Sequence, residues 1–181
     1  MKTILKYWLL MAVVVTGLVG LCYAAIQQDI RQSADDPQIQ MAEDIAAKLA
    51  DGQAIQNVVP SDKIDIAKSL APYIIVFDAT GKPIASSAQL DGQTPTIPPG
   101  VPDYVRQNGE DRITWQPQPG VRSAVIVTQF NGSHPGFVLV GRSLREVEKR
   151  EDNILQLLFL GEIGMLFVTF LATAIITGIF R

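Results

Sequence analysis

Apolar and polar residues follow three different regimes along this chain. Tyr7–Ile26 carries no charge. As a helix rising about 1.5 Å per residue, a run of that length crosses the ~30 Å of a hydrocarbon layer. A second long apolar run, with Glu162 as its one charged residue, covers about Leu157–Phe180, directly after the charged stretch Arg145–Asp152. Between them, about Gln27–Asn153 shows the short, changing periodicities of a folded domain, at a length of roughly 125 residues that is ordinary for one. The pattern divides the chain into a terminus at 1–6, a span at 7–26, a domain at 27–153, and a second span with its terminus at 154–181.

Within the domain, Ile39, Ala42, Ile45, Ala46 and Leu49 recur at helical spacing from Pro37 to Gly52, with Asp44 four residues before Lys48. Asp35 and Asp36 put negative charge near the start of this helix, and Gly52 is a stop signal. Ser61 and Asp62 are cap candidates for a second, short helix over about Ser61–Leu70. "YIIVFD", Tyr73–Asp78, is continuously apolar, as a strand buried on both faces should be. "ATGK" turns the chain, and Pro83–Ser87 returns as its partner. A proline- and glycine-rich surface loop, Leu90–Pro102, precedes a short helix near Asp103–Asn108. Strands at Arg112–Gln116, Ser123–Phe130 and Phe137–Gly141 follow, the last two joined by the hairpin "NGSHPG". Leu144–Asn153 is charged, helical, and continuous with the second span.

Composition narrows the function classes. Apolar residues make up 48% and charged ones 18%, with the apolar excess at the two ends. A net charge of -3 offers no basic stripe for nucleic acid. Cys22 is the single cysteine and His134 the single histidine, which excludes an intramolecular disulfide and multi-cysteine or multi-histidine metal clusters. No cofactor is expected. Lys2 and Lys6 before the first span place both termini in the cytoplasm and the domain outside, in a two-pass protein of the inner membrane. The first run exceeds the ~7–15 apolar residues of a signal peptide, so it is expected to stay as an anchor. "LVGLC" is not a good lipoprotein box, because Leu21 is bulky before Cys22.

The order of a long helix, the hairpin "YIIVFDATGKPIASS", a loop and helix, three antiparallel strands ending "FVLVGRSL", and a charged helix into the membrane resembles a known family. It is that of the single Cache (PAS-like) extracytoplasmic sensor domains of bacterial histidine kinases and chemoreceptors, over about Gln27–Asn153. The resemblance implies an α+β fold, a PAS/Cache-like antiparallel sheet with a long N-terminal helix, here flanked by two transmembrane helices. In the family, the second span leads into a signalling helix and a kinase or methyl-accepting domain. Here the sequence ends at Arg181, and output is expected to run sideways to a separate partner such as a sensor kinase of a two-component system.

The family's pocket lies between the sheet and the loop-helix segment that crosses it, where this chain carries Ser87, Tyr104, Trp115 and Arg122. An aromatic wall with one guanidinium suits a small anionic ligand such as a carboxylate. Ser133 and His134 are neighbours in a turn and lack a nucleophile–base arrangement, so no enzyme is expected. In the spans, Glu162, Thr169, Thr173 and Thr177 occupy an arc of roughly 80° at 100° per residue. Ala12, Thr16, Gly20 and Ala24 repeat at steps of four on the first span, a spacing that lets helix backbones approach closely. Both faces are expected against protein, in a homodimer or a membrane partner. The expected function is thus a non-enzymatic membrane sensor or regulator; the alternative is an assembly subunit that uses the same fold as a docking surface.

Overall fold

The computed structural model of the chain describes residues 2–179. Met1, Phe180 and Arg181 lie outside them, and with them the two ends expected in the cytoplasm. The chain divides into two compact units, Gln32–Glu146 and the pair Met1–Arg31 with Val147–Arg181. Helix α1 runs Lys2–Ala50 and helix α4 Arg145–Ile179. Both are long and apolar enough to cross a membrane.

The unit Gln32–Glu146 is α+β. After α1 come α2 (Ile55–Val58), β1 (Ile64–Asp65), β2 (Tyr73–Asp78), β3 (Pro83–Ser86), β4 (Ala88–Gln89) and α3 (Gly100–Asn108). Then follow β5 (Glu110–Gln118), β6 (Val121–Phe130) and β7 (Gly136–Ser143). The main sheet has the order β3-β2-β7-β6-β5, antiparallel throughout, and β1 pairs with β4 in a small parallel ribbon. The long helix and antiparallel sheet are those the sequence pattern predicts.

Alternation along the strands gives the sheet two apolar faces. Tyr73, Ile75, Phe77, Val125, Val127, Phe137 and Leu139 pack on one side with Val101 and Val105 of α3. Ile74, Val76, Ile126, Val138 and Val140 pack on the other with Ala42, Ile45 and Leu49 of α1. Each fully buried Ile or Leu contributes about 1.5–3 kcal/mol, so a strand without polar alternation is what this two-faced position demands.

Three local expectations need correction. Pro37 lies inside α1 rather than at a helix start. Beside it Gln38, only 1% exposed, has its amide nitrogen placed to donate to the carbonyls of Ala34 (2.8 Å) and Asp35 (3.3 Å). Ser61–Leu70 is not a helix. Ile64 N donates to Ser87 O (2.7 Å) and Ile66 N to Gln89 O (3.0 Å), so pairing with β4 buries Ile66 and overrides the local cap signal. The loop Leu90–Pro102 is not wholly a surface loop, since Leu90 and Val101 are buried and Ile97 packs beside them.

Two arginines at the exit of the sheet hold the segment before β2. Arg142 Nε donates to Leu70 O and Arg145 Nη2 to Lys68 O, each at 3.1 Å.

Candidate functional site

The four residues expected to form a pocket are placed apart. The Ser87 hydroxyl is fully buried and brackets β2, accepting from Ile74 N (2.9 Å) and donating to Ile74 O (3.3 Å). It thereby continues the β2 pairing where β3 ends. Tyr104 is 51% exposed on α3. Trp115 is buried on the α3 face of the sheet. Because Trp115 pairs with Ser123, the adjacent Arg122 points to the opposite, α1 face, where it is exposed. Trp115 and Arg122 therefore do not converge on one ligand.

The α3 face does contain an uncommon polar spot. Among the described residues, the buried hydroxyls of Tyr73 and Ser123 have no hydrogen-bond partner of good geometry. Burial pushes the Tyr73 phenol well above its usual range, and the nearby Ser123 hydroxyl offsets a little of this. The Tyr73 ring lies over Gly141, where a Cβ would stand 2.4 Å from Tyr73 Cζ. Nothing larger than glycine fits under the ring, and Gly141 and Tyr73 are register partners.

An open cleft of about 440 Å³ lies at the other side of the domain, within the ~300–1,000 Å³ range of small-molecule sites. Its walls are apolar, from Leu49 of α1, Ile55 of α2, Ile84 of β3, Phe130 of β6 and Pro135. Hydrogen-bonding groups come from Gln53, Gln56, Ser133 and His134. Among the described residues, no lysine or arginine lines it. Its one acidic residue, Asp78, holds the β2–β3 turn: Oδ1 accepts from Thr80 N (2.9 Å), Thr80 Oγ1 (2.5 Å) and Lys82 N (3.0 Å). Those bonds, the Thr80 hydroxyl first, hold the Asp78 carboxyl below the usual range.

Close backbone approaches fix the β6–β7 connection beside the cleft. At Gly132, with φ +131, a Cβ would meet Ala50 O at 2.9 Å, so the β6–β7 connection lies against the end of α1. At Gly136 a Cβ would lie 2.2 Å from Phe77 O and 2.9 Å from the Phe130 ring. On the opposite, α3 face, Arg106 donates to Ala79 O (2.7 Å) and stacks over Phe137 at 5.2 Å. Ser133 and His134, read from sequence as turn chemistry only, thus stand at the cleft. The available signal was the length of the "NGSHPG" connection, which exceeds the two residues of a tight hairpin.

The unit built from the two membrane-length helices has its own polar chemistry. Trp8 Nε1 donates to Leu166 O (3.0 Å), and its ring meets Phe170 edge-on at 5.7 Å. Thr16 Oγ1 donates to Glu162 Oε1 at 2.6 Å. Arg31 and Glu151 form an ion pair of 3.4 Å. On α1, Ala12 is half-buried in the seam with Val15, while Thr16, Gly20 and Ala24 are exposed at its flank. On α4, Glu162, Thr169, Thr173 and Thr177 are all half-buried. The threonine hydroxyls bond backward to their own helix: Thr169 to Leu166 O (3.0 Å), Thr173 to Thr169 O (2.7 Å) and Thr177 to Thr173 O (2.7 Å).

No protein-family model matches the chain, and no curated protein matches it. Among solved structures, the chain is similar to the ligand-binding domain of the Pseudomonas aeruginosa PAO1 amino acid chemoreceptor PctC in complex with GABA. The identity is 14% and the TM-score 0.47, over 76% of this chain and 62% of that one. The chain therefore spans less than two thirds of that solved chain.

Proposed function

We propose that the chain is a membrane-anchored sensor without enzymatic activity. Its domain Gln32–Glu146 faces outward and takes a small organic molecule in the cleft beside Phe130 and His134. The change passes sideways, through the α1–α4 pair, to a separate membrane protein such as a sensor kinase. The observation carrying this reading is the cleft itself, an apolar-walled space of ligand size with a few hydrogen-bonding groups at its edge. Its lining favours a neutral or cationic ligand over the anion expected from Arg122, because among the described residues the acidic Asp78 stands in it without a lysine or arginine.

The test is a thermal-shift screen of the full chain in lipid nanodiscs against amino acids, amines and neutral metabolites. A ligand bound only by the native state at a hundredfold excess over its dissociation constant adds about 2.7 kcal/mol of apparent stability. Substitutions His134→Ala and Ile84→Lys should abolish the shift, and Arg122→Ala should leave it. A ligand whose shift survives both cleft substitutions binds elsewhere and overturns the assignment.

A further inference from the structure

Thr16 lies ten positions after Lys6 and thirteen before Asp29, and Glu162 lies ten positions after Asp152. At about 1.5 Å per residue, their contact is about 15 Å from the nearest flanking charges, close to the middle of a ~30 Å hydrocarbon layer. In the stretches 7–28 and 153–179, Glu162 is the one Asp, Glu, Lys or Arg. A carboxyl group at that depth is expensive, and such groups ordinarily pair with another polar group or face protein.

The helix pair meets only part of that demand. Among the described residues, Thr16 is the one hydrogen-bond partner of Glu162, through one of its two oxygens. The other donors along the seam are already engaged, with Trp8 on Leu166 O and the threonines of α4 on their own backbone. Glu162 is also only half-buried in the pair, so its carboxyl is reachable from a third helix.

We infer that Glu162 is the docking point for a transmembrane helix of another protein that carries a lysine or arginine near the middle of its span. The inference rests on the sideways route proposed above and names the chemistry of its partner. Charge complementarity selects the occupant. A cation can bond the second carboxyl oxygen and hold the group as an ion pair, which an apolar helix cannot do. A second copy of this chain brings another Glu162 and no cation to pair with it.

The full chain in nanodiscs can be tested with a synthetic polyleucine transmembrane helix bearing one central lysine, against the same helix with leucine there. Association is read by energy transfer between labelled chains. Wild type should bind the lysine helix at least tenfold better than the leucine helix. Glu162→Gln, which keeps the side chain's length and its bond to Thr16, should erase the difference. Glu162→Lys should in turn select a polyleucine helix with a central glutamate. Equal binding of the two helices by wild type, or a preference retained in Glu162→Gln, overturns the proposal. So does self-association of the wild-type chain that depends on Glu162, because that makes the occupant a second copy. Ligand-induced stabilisation of the outer domain is measured separately, so failure here and failure of the sensor reading are distinct results.

Discussion

Gly141 offers a sharp test of the sheet. It pairs with Tyr73 on β2 and Val125 on β6, and its missing side chain leaves the space the Tyr73 ring fills. An alanine Cβ would lie 2.4 Å from Cζ, 2.5 Å from the hydroxyl and 2.6 Å from Cε2 of Tyr73. Ordinary contact begins near 3.4 Å, so the overlap is about 1 Å against two ring carbons and the hydroxyl oxygen. Tyr73 is 1% exposed and cannot swing into solvent. Overpacking in a core costs about 1–3 kcal/mol, and this case belongs at the upper end. Removing a glycine from a strand returns about 0.5–1 kcal/mol. Gly141→Ala should therefore destabilise the domain by about 2 kcal/mol and lower its Tm by about 8 °C. Thermal unfolding of the full chain in nanodiscs, followed by Trp115 fluorescence in a Trp8→Phe background, measures it. The shorter side chain in Tyr73→Leu costs stability alone but removes the clash, so the double variant should be about 2 kcal/mol better than the sum of the singles. Simple additivity would refute the packing of Tyr73 on Gly141.

Tyr73 also sets an alkaline limit. Its folded value lies above the unfolded one of about 10, so its contribution to stability is complete below pH 10 and is lost as pH rises further. Tyr73→Phe should flatten the decline in Tm above pH 10; an unchanged decline assigns it to other groups. Asp78 has the opposite sign, with its folded value held below the usual 3.8 by Thr80 and Lys82. Its contribution is present above pH 3.8 and lost as pH falls through the folded value. Asp78→Ala should lower the Tm at pH 7 and weaken the acid dependence, and an unaltered acid limb would contradict this. For topology, alkaline phosphatase fused after Gly109 should be active, and the intact mass should retain Tyr7–Ile26; a mature chain starting near Ala25 would identify a cleaved leader.

The apolar periodicity made the strands legible. Tyr73–Asp78 is apolar because it is covered from both sides, by α3 and by α1. The membrane-length helices were equally plain, since length and apolar composition suffice to recognise them. Ile64–Asp65 was hidden because two residues carry no period and their pairing partner lies beyond Ser86 in the chain. The face of Arg122 was hidden for a related reason. One position in a strand exchanges the two sides of a sheet, and only the Trp115–Ser123 register decides which side each residue takes. His134 was passed over because its turn residues explain the turn, while the cleft depends on Leu49, Ile55 and Ile84 arriving from three other elements.

The central claim is that binding in the outer domain changes the membrane pair. The direct measurement is a spin-label distance between positions 9 and 167, exposed sites on α1 and α4. The labels are placed by Leu9→Cys and Phe167→Cys in a Cys22→Ser background, in nanodiscs, with and without the compound the stability screen returns. The account predicts a shifted distance distribution at saturation that disappears in the His134→Ala variant. An unchanged distribution with the cleft fully occupied would contradict it.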